Sequence, residues 1–270
     1  MNVELAGVLR QLEKEKRTGV LRVGDGSFHL VEGVVAAASC HRATGLDQLA
    51  LAAGAATADD WRRAESGDPA AVLGSPRLEV LALLSVFDAA YFLLAAPTVA
   101  KFRPMPPHWL ARICQITPGA LVHEIERRGD PETGLWPAGW VDRYPIIPVR
   151  RVRRRRVVLT ASQVEMLSAA DTRRTITVIA RDLGRTTFAC LMAVRDLTAA
   201  GLVEPPVLLP GPADDEAAPD HPPNHAPAQA PTTPLRRRVP SMTQVPVQDR
   251  WEPVDRDVLI RLRAALEELA

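Results

Sequence analysis

The chain has 270 residues, 24 of them proline and 16 glycine, with 33 basic against 32 acidic side chains. That length suffices for one or two domains with a real hydrophobic core. No apolar run approaches the ~20 residues that span a bilayer and no signal-peptide core is seen, so the expectation is a cytoplasmic protein without integral membrane association. Cys40, Cys114 and Cys190 are scattered and form no C-x-x-C, a pattern that suits a reducing compartment and argues against a disulfide scaffold or structural zinc. The net charge of +1 averages unlike segments: residues 1–149 carry 15 basic and 17 acidic groups, 150–205 carry 11 and 5, and 206–270 carry 7 and 10. A polyanion would meet the middle block. Arginine outnumbers lysine 30 to 3, which reads as the codon bias of a high-GC bacterium and lowers the weight of any one arginine run.

In chain order, Val3, Leu5, Val8, Leu9 and Leu12 recur at helical spacing. GVLRV, the turn Gly24-Asp25-Gly26, SFHLVEG and VVAAAS then read as three short strands of a β-meander, with a D-G step between apolar runs as the hairpin signal. GLDQLALAAG and ATADDWRRAE predict two helices, the second capped by Thr57. RLEVLALLSVFDAAYFLL predicts an apolar helix giving way to a strand near 89–95, with Asp88 as a polar face position or a cap. In HWLARICQITPGALVHEIERRG, Pro118 either breaks one helix or starts a second at its first turn. GLWPAGWVDRYPIIPV is expected to run extended under its prolines, with Trp136 and Trp140 packing on a domain surface.

Residues 157–205 carry the most specific local pattern. Thr160 with Gln163 forms a capping box, RTITVIARDLG ends at Gly184, and TFACLMAVRDLTAAGLVE is closed by Gly201. Three short helices with a tight turn between the last two describe a helix-turn-helix, expected to be winged. Leu191, Val194 and Leu197 would face inward, leaving Thr186, Ala189, Ala193 and Asp196 outside with Arg185 and Arg195 at the margins. Ahead of this segment Arg150, Arg151, Arg153, Arg154, Arg155 and Arg156 place six arginines in seven residues, an arm suited to phosphates. Together with Arg185, Thr186 and Thr187 they are the expected DNA-binding residues. The would-be recognition helix is poor in the Arg, Lys, Asn or Gln that read base edges.

From Pro205 to Pro253 there are 13 prolines in 49 residues, a composition that predicts a disordered tether. Val254, Val258, Leu259, Leu262, Leu266 and Leu269 then mark one stripe of a terminal amphipathic helix. A lone helix of that length is marginal in water, so it must dock on its own domain or on a partner, and Val258, Leu259, Leu262, Leu266 and Leu269 are the expected partner-binding residues.

GVLRV…GSFHLVEGVVAAA followed by VLALLSVFDAAYFLL resembles the bacterial PatA-like N-terminal domain over residues 1 to about 100. LTASQVEML and IARDLGRTTF are similar to a winged-helix domain of the bacterial regulator type. The first resemblance implies an interaction domain at the front of signalling proteins; the pair implies an actinobacterial regulator, sometimes found near small-GTPase and roadblock-type proteins. No catalytic or ligand residue carries over from either.

The chain has no G-x-x-x-x-G-K-[ST], no G-x-G-x-x-G after a strand, no G-x-S-x-G and no H-E-x-x-H. Neither the Cys40-His41 adjacency nor His123 with Glu126 makes a constellation. The expectation is therefore an α+β, non-enzymatic regulator with no cofactor and no metal. Its segments would be an N-terminal domain (1–128), a Pro/Trp strap (129–149), a winged helix with its basic arm (150–205), a linker (206–250) and a C-terminal helix (251–270). Duplex DNA is the expected partner; the alternative is an adaptor that docks signalling proteins through the N-terminal domain or the terminal helix and never meets DNA.

Overall fold

The first helix, α1 (Val3–Lys14), begins where Asn2 accepts the Leu5 N–H at 3.1 Å, and it buries Leu5, Ala6, Leu9 and Leu12 along one face. In this computed structural model the described residues are 2–95, 99–150 and 157–206, all within the first of two units, Met1–Gly211 and Pro212–Ala270. The expected tether and the helix bearing Val258, Leu259, Leu262, Leu266 and Leu269 lie outside the described residues, as do Arg151 and Arg153–Arg156.

The strands β1 (Gly19–Val23), β2 (Gly26–Val31), β3 (Val34–Cys40) and β4 (Ala100–Pro104) form one antiparallel sheet in the order β3-β2-β1-β4. Gly24, at φ 51°, opens the two-residue turn between β1 and β2. Glu32 and Gly33, at φ 52° and 86°, make the next turn, which is fastened by Glu32 N–H to Thr18 Oγ1 (2.9 Å) and Gly33 N–H to the Arg17 carbonyl (2.9 Å). A side chain at Gly33 would also meet the Glu13 backbone oxygen at 2.7 Å, so the turn needs glycine on two counts. The chain is thus α+β, with a fourth strand beyond the expected meander. β4 is a short edge strand carrying Lys101 and Arg103, the charge pattern that protects an edge and also hides it from an apolar scan.

Along one face of the sheet lies α5 (Leu78–Leu93), preceded by α2 (Leu46–Ala52), α3 (Ala58–Glu65) and α4 (Ala70–Leu73). Thr57 caps α3 as expected, and Asp60 reaches back to close a reciprocal box with it. The strand expected near 89–95 is instead the end of α5: residues 89–93 are helical and buried all round, and a short apolar run without periodicity does not separate a strand from a buried helix. A 3₁₀ turn (Trp109–Arg112) follows, and α6 (Pro118–Arg128) starts on Thr117 with Pro118 in its first turn.

The strap is not extended throughout, since Ala138–Trp140 is a 3₁₀ turn, nor does it simply lie on a surface. Trp136 is fully buried and donates its indole N–H to Thr198 Oγ1 at 2.9 Å. The last three helices of the described residues, α7 (Ala161–Ala169), α8 (Ile176–Asp182) and α9 (Thr187–Ala199), begin on Thr160, Thr175 and Thr186. One hydrophobic core runs from Leu5 through Phe28, Tyr91 and Trp136 to Leu191 and Val203. The segments expected as separate domains, 1–128 and 150–205, therefore share a single interior, because α5 is apolar on more sides than one sheet can cover.

Asp88 ties these parts together. On α5 and without exposure, it accepts the N–H of Thr44 (3.3 Å) and of Thr187 (2.9 Å) on Oδ2, and that of Phe188 (2.7 Å) on Oδ1. It is a cap after all, but of a helix about a hundred residues away. Burial pushes its carboxyl up to about 6, against the opposing pull of the three N–H donors and Arg128. Because the folded value lies above the ordinary 3.8, the native state holds the extra proton. The stabilisation from that proton is complete below about pH 4 and is lost as pH rises through about 6. In Asp88→Asn an amide N–H₂ replaces one acceptor, which should cost roughly 1–3 kcal/mol. The stability gap between wild type and this variant should widen on acidification from about pH 7 to about pH 4 in urea titrations; a narrowing gap would show that the carboxyl is held below its ordinary value.

Candidate nucleic-acid interface

The helices α7, α8 and α9 stand on a narrow ladder built by the strap. Pro145 bridges Thr175 and Pro148 bridges Val203, both antiparallel, with Val149 N–H to the Leu202 carbonyl and Glu204 N–H to that of Ile147, each 2.9 Å. Thus the chain entering the arginine run is pinned to the chain leaving α9. Arg150 is exposed at the end of this ladder, and Val157 and Leu159 on the far side of the run pack against the core. Among the described residues neither Arg150 nor the exposed Arg173 makes an ion pair.

The turn into α9 is otherwise committed. Arg185 reaches Glu165 Oε1 on α7 at 3.0 Å, and both side chains are exposed, so the pair is worth little and competes weakly with a phosphate. Thr186 is the helix cap, accepting the Ala189 N–H at 3.4 Å. Thr187, expected to touch DNA, faces inward: it is fully buried, with its hydroxyl 3.3 Å from that of Thr44. The cause is the docking of the α9 N-terminus on Asp88.

Leu191, Val194 and Leu197 face inward as their spacing predicts. Ala193, expected outside, is buried as well, because α7 and α8 both pack along α9 and leave little of that side of the helix open. Arg195 also turns in. Its guanidinium donates to the Trp136 carbonyl (Nε 3.1 Å, Nη2 2.8 Å), to the Pro131 carbonyl (2.9 Å) and to the Tyr91 hydroxyl (3.5 Å). Exposed along α9 there remain Ala189, Asp196 and Ala199. Two methyls and a carboxylate offer no donor to a base edge, and the carboxylate opposes phosphate. Just ahead of α8, Arg174 is held between Asp171 and Asp182, 3.0 Å from each.

What the sequence reading did not assign was the partner of Asp88 and the inward course of Arg195. A lone acid inside VFDAAYF is a signal of a buried polar group needing donors, but not of where they come from. Among the described residues no helix is long and apolar enough to cross a membrane. Comparison with protein-family models, with curated proteins and with solved structures finds no match to this chain.

Arg195 serves as an anchor of the strap, so Arg195→Ala should lower unfolding free energy by roughly 2–4 kcal/mol in denaturant titrations, since two carbonyls lose a charged donor. Retention of duplex DNA, measured where the variant is still folded, should equal that of the wild type. A variant of unaltered stability that binds DNA less well would reverse that assignment.

Proposed function

We propose that this chain is a non-enzymatic regulatory protein that holds duplex DNA by charge, through the arginine run 150–156, with the three helices as its platform and not as a base-reading head. One observation carries the reading: a run of six arginines is inserted between two anchored points of a body whose third helix presents only Ala189, Asp196 and Ala199 outward. Phosphate contacts of this kind give affinity and position, while sequence is read by base-edge donors. On this reading residues 157–205 are a winged helix whose sheet is reduced to the pairing of 145–149 with 175 and 203, and residues 1 to about 100 are a PatA-like domain. The support for a non-enzymatic role is chemical. Burial raises the thiols of Cys40 and Cys114 to about 11 and that of Cys190 to about 12, which makes each a poor nucleophile.

The same outward face of α9 favours a second reading, an adaptor that docks signalling proteins without DNA. Pull-downs with and without nuclease separate the two, because a DNA-borne complex disappears on digestion.

Mobility-shift titrations with two unrelated duplexes should give equal affinities. Plotted against log salt, log affinity should fall with a slope of about −5, as expected for five or six phosphates neutralised. Replacing Arg153, Arg154, Arg155 and Arg156 with alanine should flatten that slope by about 3–4 and remove binding at moderate salt. Unchanged binding in this variant, or a strong preference for one duplex that is lost with Arg185→Ala, would overturn the proposal.

A further inference from the structure

A cavity of about 340 Å³ opens along β3, at the edge of the sheet opposite β4, between that strand, α5, the 43–45 loop with the first residues of α2, α3 and the 3₁₀ turn at 109–112. It exists because small residues meet there. Ala36 on β3 faces Ala82 and Ala89 on α5, and three methyl groups cannot fill the space that larger side chains occupy elsewhere in the core. The register of β3 against β2 slips between His29 and Leu30, leaving Ala36 as the extra residue of a bulge, and both its neighbour Val35 and Ala36 are buried.

The walls are aromatic. His108 stacks on Trp109 (centroids 5.7 Å apart, 26° between planes), Trp109 meets Trp61 edge to face at 5.7 Å, and His29 meets His108 at 4.7 Å. Both imidazoles are neutral in character. Burial, then the neighbouring His29, holds His108 down to about 4, and burial lowers His29. His108 Nδ1 accepts the Leu110 N–H at 3.2 Å, so its proton sits on Nε2. Among the described residues, the acidic groups that line the cavity are Asp47 and Glu65, and no lysine or arginine lines it. Trp61 Nε1 donates to Glu65 Oε1 at 3.1 Å and fixes that carboxylate next to the aromatic wall.

Flat apolar walls, neutral imidazoles and two carboxylates at one cavity repel an anion and suit a cation carried on a ring. We propose that this cavity is a binding site for a compact aromatic amine, its ring against Trp61 and Trp109 and its ammonium group at Asp47 and Glu65. The inference stands apart from DNA binding and gives the N-terminal half a ligand of its own. It also bears on the rest of the molecule, since Thr44 both lines the cavity and donates its N–H to Asp88 at the root of α9.

Three probes that share an indole ring test the charge logic on the full chain by isothermal titration calorimetry: tryptamine, the neutral tryptophol and the anionic indole-3-propionate. Tryptamine should saturate one site per chain, about tenfold tighter than tryptophol, with the propionate weakest. The double variant Asp47→Asn, Glu65→Gln should remove the preference for tryptamine and leave tryptophol binding in place, because an amide oxygen can still accept from Trp61. Ala82→Leu should fill the space and abolish binding of all three. Should that variant fail to fold, Trp61→Ala, at a half-buried position, must weaken all three instead. Absence of saturable binding by any probe, tightest binding by the anion, or unimpaired binding in the filled or wall-less variant would overturn the proposal.

Discussion

An α-helix begins with N–H groups that have no partner of their own, and inside a protein each must be supplied with one. At the start of α9 the supply comes from two sources: Thr186 takes the Ala189 N–H, and Asp88 takes those of Thr187 and Phe188. The same carboxyl holds the Thr44 backbone, so the loop after β3, the long helix α5 and the third helix of the C-terminal segment meet at one buried acid. Around it the Arg128 guanidinium lies 4.4 Å from the centre of the Phe188 ring and over Phe87 as well, and this adds a nearby positive charge. A helix fixed in this way at its first turn is part of the interior. It has no freedom to enter a groove with the residues of that turn.

This constraint shapes the functional reading. In a helix-turn-helix the third helix ordinarily offers its first turns to the major groove. Here those turns carry Thr187 inside, a capping threonine and an arginine engaged by Glu165. Positive charge is concentrated instead in the segment between the strap and α7, whose flanks are pinned by the pairing of 147–149 with 202–204 on one side and by Val157 and Leu159 on the other. On the proposed reading charge and fold are thereby separated: the body would supply position and the arginines attraction. The cavity beside β3 adds a third element, an aromatic and acidic pocket whose lining residue Thr44 also contacts the α9 anchor.

Much of the secondary structure was legible because its causes are local. The Thr57 cap of α3, the box of Thr160 with Gln163 and the two positive-φ hairpin turns are each decided within four residues of chain, and Pro118 took the second of the two places its sequence allowed, the first turn of α6. The inward stripe of Leu191, Val194 and Leu197 followed from helical spacing alone. What escaped had non-local causes. β4 pairs with β1 across some eighty residues and carries charges suited to an edge. The end of α5 is apolar on every side because helices as well as sheet cover it, which erases periodicity. Thr187, Ala193 and Arg195 look like surface positions until Asp88, the neighbouring helices and the strap are packed around them.

The candidate sites divide in the same way. Composition and spacing alone located the arginine run and the three helices, because charge density and helical period are properties of a continuous stretch. Only the folded chain decided that Asp88 caps α9, that Arg195 braces the strap, and that His29, Trp61 and His108 surround one cavity. Those arrangements join residues far apart in sequence, and their geometry is set by how sheet and helices fill a common interior, which no local pattern encodes.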